Sequence, residues 1–246
     1  MLYPKTYTVE SVTSGHPDKV CDQISDAILD ACLAQDPMSR VAVESFGAHG
    51  SLVLGGEVTT KATVDYGALA ESVYRDIGYD EPLEIQVRIV EQSPNIAQGV
   101  DTGGAGDQGI MYGFATDETP EMLPKGVVLS HRLSRALEIL RRTNPQFSWL
   151  KPDGKSQVTM ADGSITAVVV SCQHDPSASL SQVREAVRDD LIAPAIGDLA
   201  NIAVHINPAG AWNIGGFAAD SGLTGRKIMV DTYGGLIPHG GGAFSG

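Results

Sequence analysis

From Asp18 to Gln35 apolar residues return every fourth position, with Val20, Ile24, Ile28 and Cys32 on one face, which predicts an amphipathic helix. Alternation then replaces that period. Arg40 to Phe46 and Ser51 to Thr60 predict a strand pair turning at Gly47-Ala48-His49-Gly50. Tyr66 to Ile77 predicts a second helix, stopped at Gly78, and Glu84 to Val90 a strand with Ile85, Val87 and Ile89 on one face. The same order then returns. Val127 to Arg142 reads as a helix carrying Leu129, Leu133, Leu137 and Leu140. Gln157 to Met160 and Ser164 to Gln173 form a hairpin around Asp162-Gly163. A helix from Leu180 to Ile196 and a strand from Ile202 to Ile206 complete the series. The two halves share almost no residue identity, so the expectation is an α+β protein in which a helix–hairpin–helix–strand domain is repeated as structure, not as sequence.

Between the halves lies Ser93 to Gly109, seventeen residues with five glycines. That is long for a passive connection and suits a lid over a site, with plain surface chain as the alternative. Gly104, Gly106 and Gly109 spell G-x-G-x-x-G. No strand leads directly into them, and Ile110 to Phe114 reads as a strand where a helix would be needed, so a dinucleotide fold is not expected.

Composition narrows the class. The 246 residues, 42% hydrophobic and 19% charged, fit an ordinary globular protein of one large or two modest domains. No apolar run approaches membrane-spanning length, the first residues do not resemble a signal peptide, and Cys21, Cys32 and Cys172 have neither pairing nor metal-ligand spacing. A reduced, cytoplasmic setting is expected. The net charge of −13 argues against nucleic acid as a general partner but permits a local cationic pocket for phosphate.

Several clusters could carry chemistry. Gly15-His16-Pro17-Asp18-Lys19 opens the first helix, where free N–H groups and the helix dipole favour an anion and where His, Asp and Lys sit together. Capping by Asp18 is the plainer explanation of the same residues. Asp18, Asp22, Asp26 and Asp30 share one helix face; a cation could offset their repulsion, and simple solvation is expected for Asp26 and Asp30. Glu44 and Glu57 interrupt β-rich runs and could face a cation or a substrate ammonium, or be outward charges at a sheet edge. Asp107 is a carboxylate on a flexible backbone. Cations occur in Asp153-Gly154-Lys155, read as a turn, and in Gly225-Arg226-Lys227 before a strand at Ile228 to Val230. The glycine run from Gly240 to Gly246 offers backbone N–H groups as an anion cradle with no cation after it. Together these features suggest a polyphosphate-handling protein lacking a piece of its site.

Set in order, Glu10-Ser11-Val12, Gly15-His16-Pro17-Asp18-Lys19, Asp22-Gln23-Ile24-Ser25-Asp26, Gly104-Ala105-Gly106-Asp107-Gln108-Gly109, Gly222-Leu223-Thr224-Gly225-Arg226-Lys227, Val230-Asp231-Thr232-Tyr233-Gly234-Gly235 and Gly240-Gly241-Gly242-Ala243-Phe244-Ser245-Gly246 resemble the S-adenosylmethionine synthetase family, from about Val9 to Gly246. The resemblance implies a transferase that joins ATP to L-methionine and hydrolyses the triphosphate to pyrophosphate and phosphate. By resemblance His16, Lys155, Arg226 and Lys227 are catalytic and contact ATP, as do Asp153, Trp212 and Asp220. Glu57, Gln92, Asp107 and Asp220 match methionine contacts, Asp18 a Mg²⁺ ligand and Glu44 a K⁺ ligand. Ser93-Pro94-Asn95-Ile96 matches the family's gate.

The family fold implies three α+β domains around a pseudo-threefold axis. Here that gives a central-type domain from 15–95 plus 214–246, an amino-terminal-type domain from 1–14 plus 121–213, and 96–120 as lid and remnant of a third. Active sites between subunits imply a homodimer or tetramer, with no nucleic acid and no membrane as partner. Two departures stand out. The family's lysines and aspartate beyond the last glycine loop have no counterpart here, and Ala211-Trp212 replaces the usual Arg-Phe beside the adenine, keeping a ring to stack while losing a charge. A non-catalytic or split-enzyme subunit that binds nucleotide is the alternative.

Overall fold

The computed structural model describes residues 3–92 and 108–242. It is a mixed α and β structure in two compact units, each assembled from separated stretches of chain: residues 1–16, 112–216 and 227–239 in one, residues 17–111, 217–226 and 240–246 in the other.

The first unit begins with β1 (Thr6–Val12), a strand absent from the expectations above because its Thr- and Glu-rich alternation buries few apolar residues. It continues with α3 (Lys125–Thr143), β5 (Leu150–Ala161), β6 (Ser164–His174), α4 (Leu180–Ala186), α5 (Ala193–Ile196) and β7 (Ala203–Ile206). A widened, π-helical turn over Val187–Ile192 joins α4 to α5, so the expected helix from Leu180 to Ile196 is present with an internal irregularity. The sheet order is β1-β5-β6-β7, antiparallel except for the parallel β6–β7 pair. Asp162 and Gly163 both have positive φ, as a tight hairpin turn demands. Leu133 and Leu137 of α3, Val158 and Met160 of β5, Val168 and Val170 of β6, and Val183, Val187 and Leu191 make the core on one sheet face.

The second unit holds α1 (Pro17–Gln35), β2 (Arg40–Ala48), β3 (Ser51–Thr59), α2 (Tyr66–Ile77), β4 (Glu84–Val90) and β8 (Gly222–Leu223). Its sheet order is β4-β3-β2-β8, with β3 and β4 parallel. The hairpin turns on His49-Gly50, both at positive φ, and α2 ends at Gly78, whose φ of 118° suits a left-handed cap. Val20, Ile24, Ile28 and Cys32 do point inward, against Val41, Val43, Leu52, Leu54 and Tyr74. Phe217 stacks on Tyr74 with ring centroids 5.6 Å apart. Gly47 makes room for that ring, since a Cβ there would lie 2.2 Å from it.

Three local expectations are corrected. Asp153-Gly154-Lys155 lies inside β5, not in a turn, and the register shift against β6 between Leu150 and Gly154 absorbs its Pro and Gly. Ile228 to Val230 is helical within α6 (Ile228–Asp231): the Asp231 and Thr232 N–H groups donate back to the Lys227 and Ile228 carbonyls, and the Val230 carbonyl accepts from His131 Nε2 at 3.1 Å. Ile110 to Phe114 forms no ladder; the Phe114 N–H donates to the Tyr233 hydroxyl at 2.9 Å instead. Among the described residues no helix is long and apolar enough to cross a membrane.

Candidate functional site

In the first unit the chain leaves β1 directly beside β5. Val12 stands opposite Lys155. The Thr13 N–H then donates to the Gly154 carbonyl at 2.9 Å, and the Thr13 hydroxyl to the Pro152 carbonyl at 2.6 Å. Gly15 lies flat on Pro152, where a Cβ would come within 2.4 Å of the proline carbonyl carbon, so only glycine lets this bend close. His16 follows, buried, its N–H on the Thr13 carbonyl at 3.1 Å. The fold thus brings His16, Asp153 and Lys155 to one end of one sheet.

Asp153 is buried and its Oδ2 accepts the Gly216 N–H at 2.9 Å, which ties the segment after β7 to β5. Half-buried Trp212 sits in that segment. Lys155 is exposed on the outer sheet face, free to meet an anion by its terminal charge. Half-buried Lys227 precedes α6, which packs against β1.

In the second unit the start of α1 receives the loop around β8. Asp18 is 1% exposed and Asp22 fully buried, unlike Asp26 and Asp30, which face solvent as expected. Asp18 Oδ1 accepts the Leu223 N–H at 3.0 Å and lies 3.4 Å from Arg226 Nε; Asp22 Oδ1 accepts the Gly225 N–H at 2.9 Å and its Oδ2 meets Lys19 at 3.1 Å. Gly222 rests on the Pro17 carbonyl, with 2.1 Å to a notional Cβ. Deeper in, the Thr224 hydroxyl lies 2.8 Å from Ser25 Oγ and accepts the Ser45 N–H, also at 2.8 Å. Half the row of like charges is therefore paid by backbone dipoles and cations that fix the loop carrying Arg226. Asp220, exposed, only accepts from its neighbour Ser221 at 2.7 Å.

On the outer face of the same sheet, Glu44 opposes Gly55 and Glu57 opposes Ala42, which makes the glutamates diagonal neighbours on the two central strands and not edge charges. Partial burial, then the Asp22 charge, pushes the Glu44 carboxyl above its usual range. Glu57 pairs with Val90, two residues before Gln92, whose Oε1 accepts from Arg40 Nε at 3.1 Å. Asp107, the expected lid from Ser93 and the last residues of the glycine loop lie outside the described residues.

Among the described residues no three His, Cys, Asp or Glu side chains gather to hold a metal. The donors present still fit the expected ions. Mg²⁺ commonly takes one or two carboxylates and completes its shell with substrate phosphates and water, which a single buried Asp18 satisfies. Glu44 offers a carboxylate oxygen, a hard donor of the type a monovalent cation takes.

Sequence reasoning missed the Ser25–Ser45–Thr224 network, Gln173 and His174. Buried serine and threonine leave no periodic trace, and Gln173-His174 ends a strand where polar residues are unremarkable.

Three profiles of one family match in succession: its N-terminal domain over 4–99, its central domain over 102–212 and its C-terminal domain over 214–246. The chain is also 48% identical over 258 aligned positions to S-adenosylmethionine synthase 1 of Rhodopseudomonas palustris (strain BisB18), an alignment spanning 97% of this chain and 67% of that protein. A match of this depth along almost the whole chain, with His16, Asp153 and Lys155 drawn to one sheet end, leaves one conclusion: the chain belongs to the S-adenosylmethionine synthetase family.

Proposed function

We propose a route by which this chain makes S-adenosylmethionine from ATP and L-methionine. The sulfur lone pair of methionine attacks C5′ of the ribose, the C5′–O bond breaks, and the triphosphate departs with the electron pair, leaving a sulfonium. Water then cleaves the triphosphate to pyrophosphate and phosphate. Charge grows on the bridging oxygen as the bond breaks, so groups aimed there lower the barrier. His16 stabilises that oxygen. Lys155, Arg226 and Lys227 hold the phosphate oxygens, Arg226 as a fork and the lysines as point charges. Trp212 stacks on the base, Asp153 and Asp220 serve the nucleotide side, and Glu57, Gln92, Asp107 and Asp220 serve methionine. Asp18 would hold Mg²⁺ and Glu44 K⁺; when bound, these ions neutralise part of the triphosphate charge.

What supports this reading is the bend after β1, where Gly15 rests on Pro152 and the Thr13 N–H bonds the Gly154 carbonyl, so that the chain enters His16 from the stretch of β5 that carries Asp153 and Lys155. In both units a helix, a hairpin, a helix and a strand follow in order, and the last strand runs parallel to the second strand of the hairpin. We read them as two copies of the family's domain plan. Sites shared between subunits of a homodimer or tetramer complete the proposal.

The test is product formation. With ATP, L-methionine, Mg²⁺ and K⁺, mass spectrometry should detect the sulfonium product, and Lys155→Met should slow its formation by about 10²–10³-fold, the size of losing one preorganised donor. An unchanged rate in Lys155→Met would remove that residue from the site, and absence of product from the unaltered chain would refute the route.

A further inference from the structure

The segment after β7 is held by two side chains at the end of β6. His174 is 1% exposed and Gln173 7%. The His174 backbone N–H donates to the Trp212 carbonyl at 2.8 Å, and its ring Nε2 accepts the Trp212 N–H at 3.3 Å. Since that backbone group can only donate, Nε2 is the acceptor of the pair, while Nδ1 lies 3.1 Å from the Asp175 carbonyl. The Asn213 side chain donates to the His174 carbonyl at 2.8 Å. Gln173 reaches both ways: its Nε2 donates to the Asn213 carbonyl at 3.3 Å, and its Oε1 faces the Asp153 N–H at 3.4 Å. A Cβ at Gly215 would lie 2.6 Å from Gln173 Oε1, so the loop presses on this side chain.

The indole itself is anchored as well. Trp212 Nε1 donates to the Ile214 carbonyl at 2.7 Å. Its one donor is consumed, so the residue presents ring faces and no hydrogen bond to a ligand. A ring so fixed can stack on a flat base but cannot read the base edge.

We propose that Gln173 and His174 are positioning residues that clamp the Trp212 indole as a stacking platform for the nucleotide base, at a set distance from Asp153 and Lys155. This rests on the assignment of Trp212 to the base in the reading above. Gln173 links the platform and the Asp153-bearing strand through one side chain, so the base and the polyphosphate contacts are set by the same few hydrogen bonds.

The test uses the full chain with Trp149→Phe, which leaves Trp212 as the only tryptophan. Acrylamide quenching of its fluorescence reports how firmly the ring is held, and titration with ATP reports affinity. His174→Ala should raise quenching and weaken ATP binding about tenfold, the size of two lost hydrogen bonds. His174→Gln, which can still accept the Trp212 N–H, should recover most of both, and Gln173→Leu, which spares the imidazole, should give a smaller loss. In a Trp212→Ala background His174→Ala should add nothing to the loss of ATP affinity. Unchanged quenching in both His174→Ala and Gln173→Leu overturns the clamp. An equal loss from His174→Ala with and without Trp212 shows that His174 does not act through that ring. If Trp212→Ala binds ATP as tightly as the parent, the assignment of Trp212 to the base fails, and quenching alone still decides whether the ring is clamped.

Discussion

At single positions, the sharpest constraint is steric. Gly15 has no room for a methyl group because the Pro152 backbone fills the space, and His16 hangs from the same bend. Gly15→Ala should therefore cost about 1–3 kcal/mol, the usual price of overpacking, and should reduce activity further by displacing His16. Urea denaturation monitored by circular dichroism checks the first part; equal midpoints would show that the bend can relax. A second residue-scale prediction concerns Thr224, which gives Ser45 its acceptor and sits beside Ser25. Thr224→Val keeps the shape and removes the hydroxyl, leaving a buried N–H unsatisfied, so about 1–3 kcal/mol should be lost. Val-for-Thr without loss would mean that the network contributes nothing net. Neither effect is visible in a hydropathy pattern, which registers Gly15 as a helix-start residue and Thr224 as a neutral loop position.

Elements were legible where burial followed a period. Val20, Ile24, Ile28 and Cys32 face the core of their unit because one stripe of α1 meets one sheet face, and the hairpin around Asp162-Gly163 follows from turn chemistry. β1 escaped because its outward positions are Thr and Glu and its inward ones include Ser11, so alternation of polarity is faint. Ile228 to Val230 predicts a strand because Ile and Val favour one, whereas the folded chain turns helical there and gives the Val230 carbonyl to His131. Within α3, Glu138 illustrates an electrostatic effect confined to one element. Burial alone would raise its carboxyl, but hydrogen bonds and charges from Arg141 and Arg142 outweigh this and hold it below its ordinary 4.5. A folded-state value below the unfolded one gives stability that is present above the unfolded value and disappears as pH falls through the folded one. The stability difference between the parent and Glu138→Gln should accordingly be largest near neutral pH and shrink below about pH 4.5. Denaturation curves of both proteins across that range test it, and a difference that stays constant with pH would exclude the ion pairs as its source.

For the molecule as a whole, each unit is stitched from separated segments, and apart from the glycine-rich stretch just before the 111/112 crossing no linker composition marks the junctions. The acidic balance permits phosphate chemistry only in a local sense: Lys155, Arg226 and Lys227 are few, and they stand on a strand, in a loop and at a helix start. The three cysteines give a readout of the two cores. Cys21 and Cys32 are fully buried in the unit of α1, and Cys172 is fully buried in the unit of β6. All three are free thiols, burial raises each above its ordinary value, and the Cys172 thiol is pushed up to about 12. Thiolate is the reactive form, so a thiol reagent at neutral pH should label none of them until a core opens. Mass spectrometry of peptides after labelling in graded urea would then assign each modification to its unit. Labelling of Cys172 at lower urea than Cys21 and Cys32, or the reverse, would show that one core opens before the other, and rapid labelling of any of the three without urea would contradict the burial on which both cores are built.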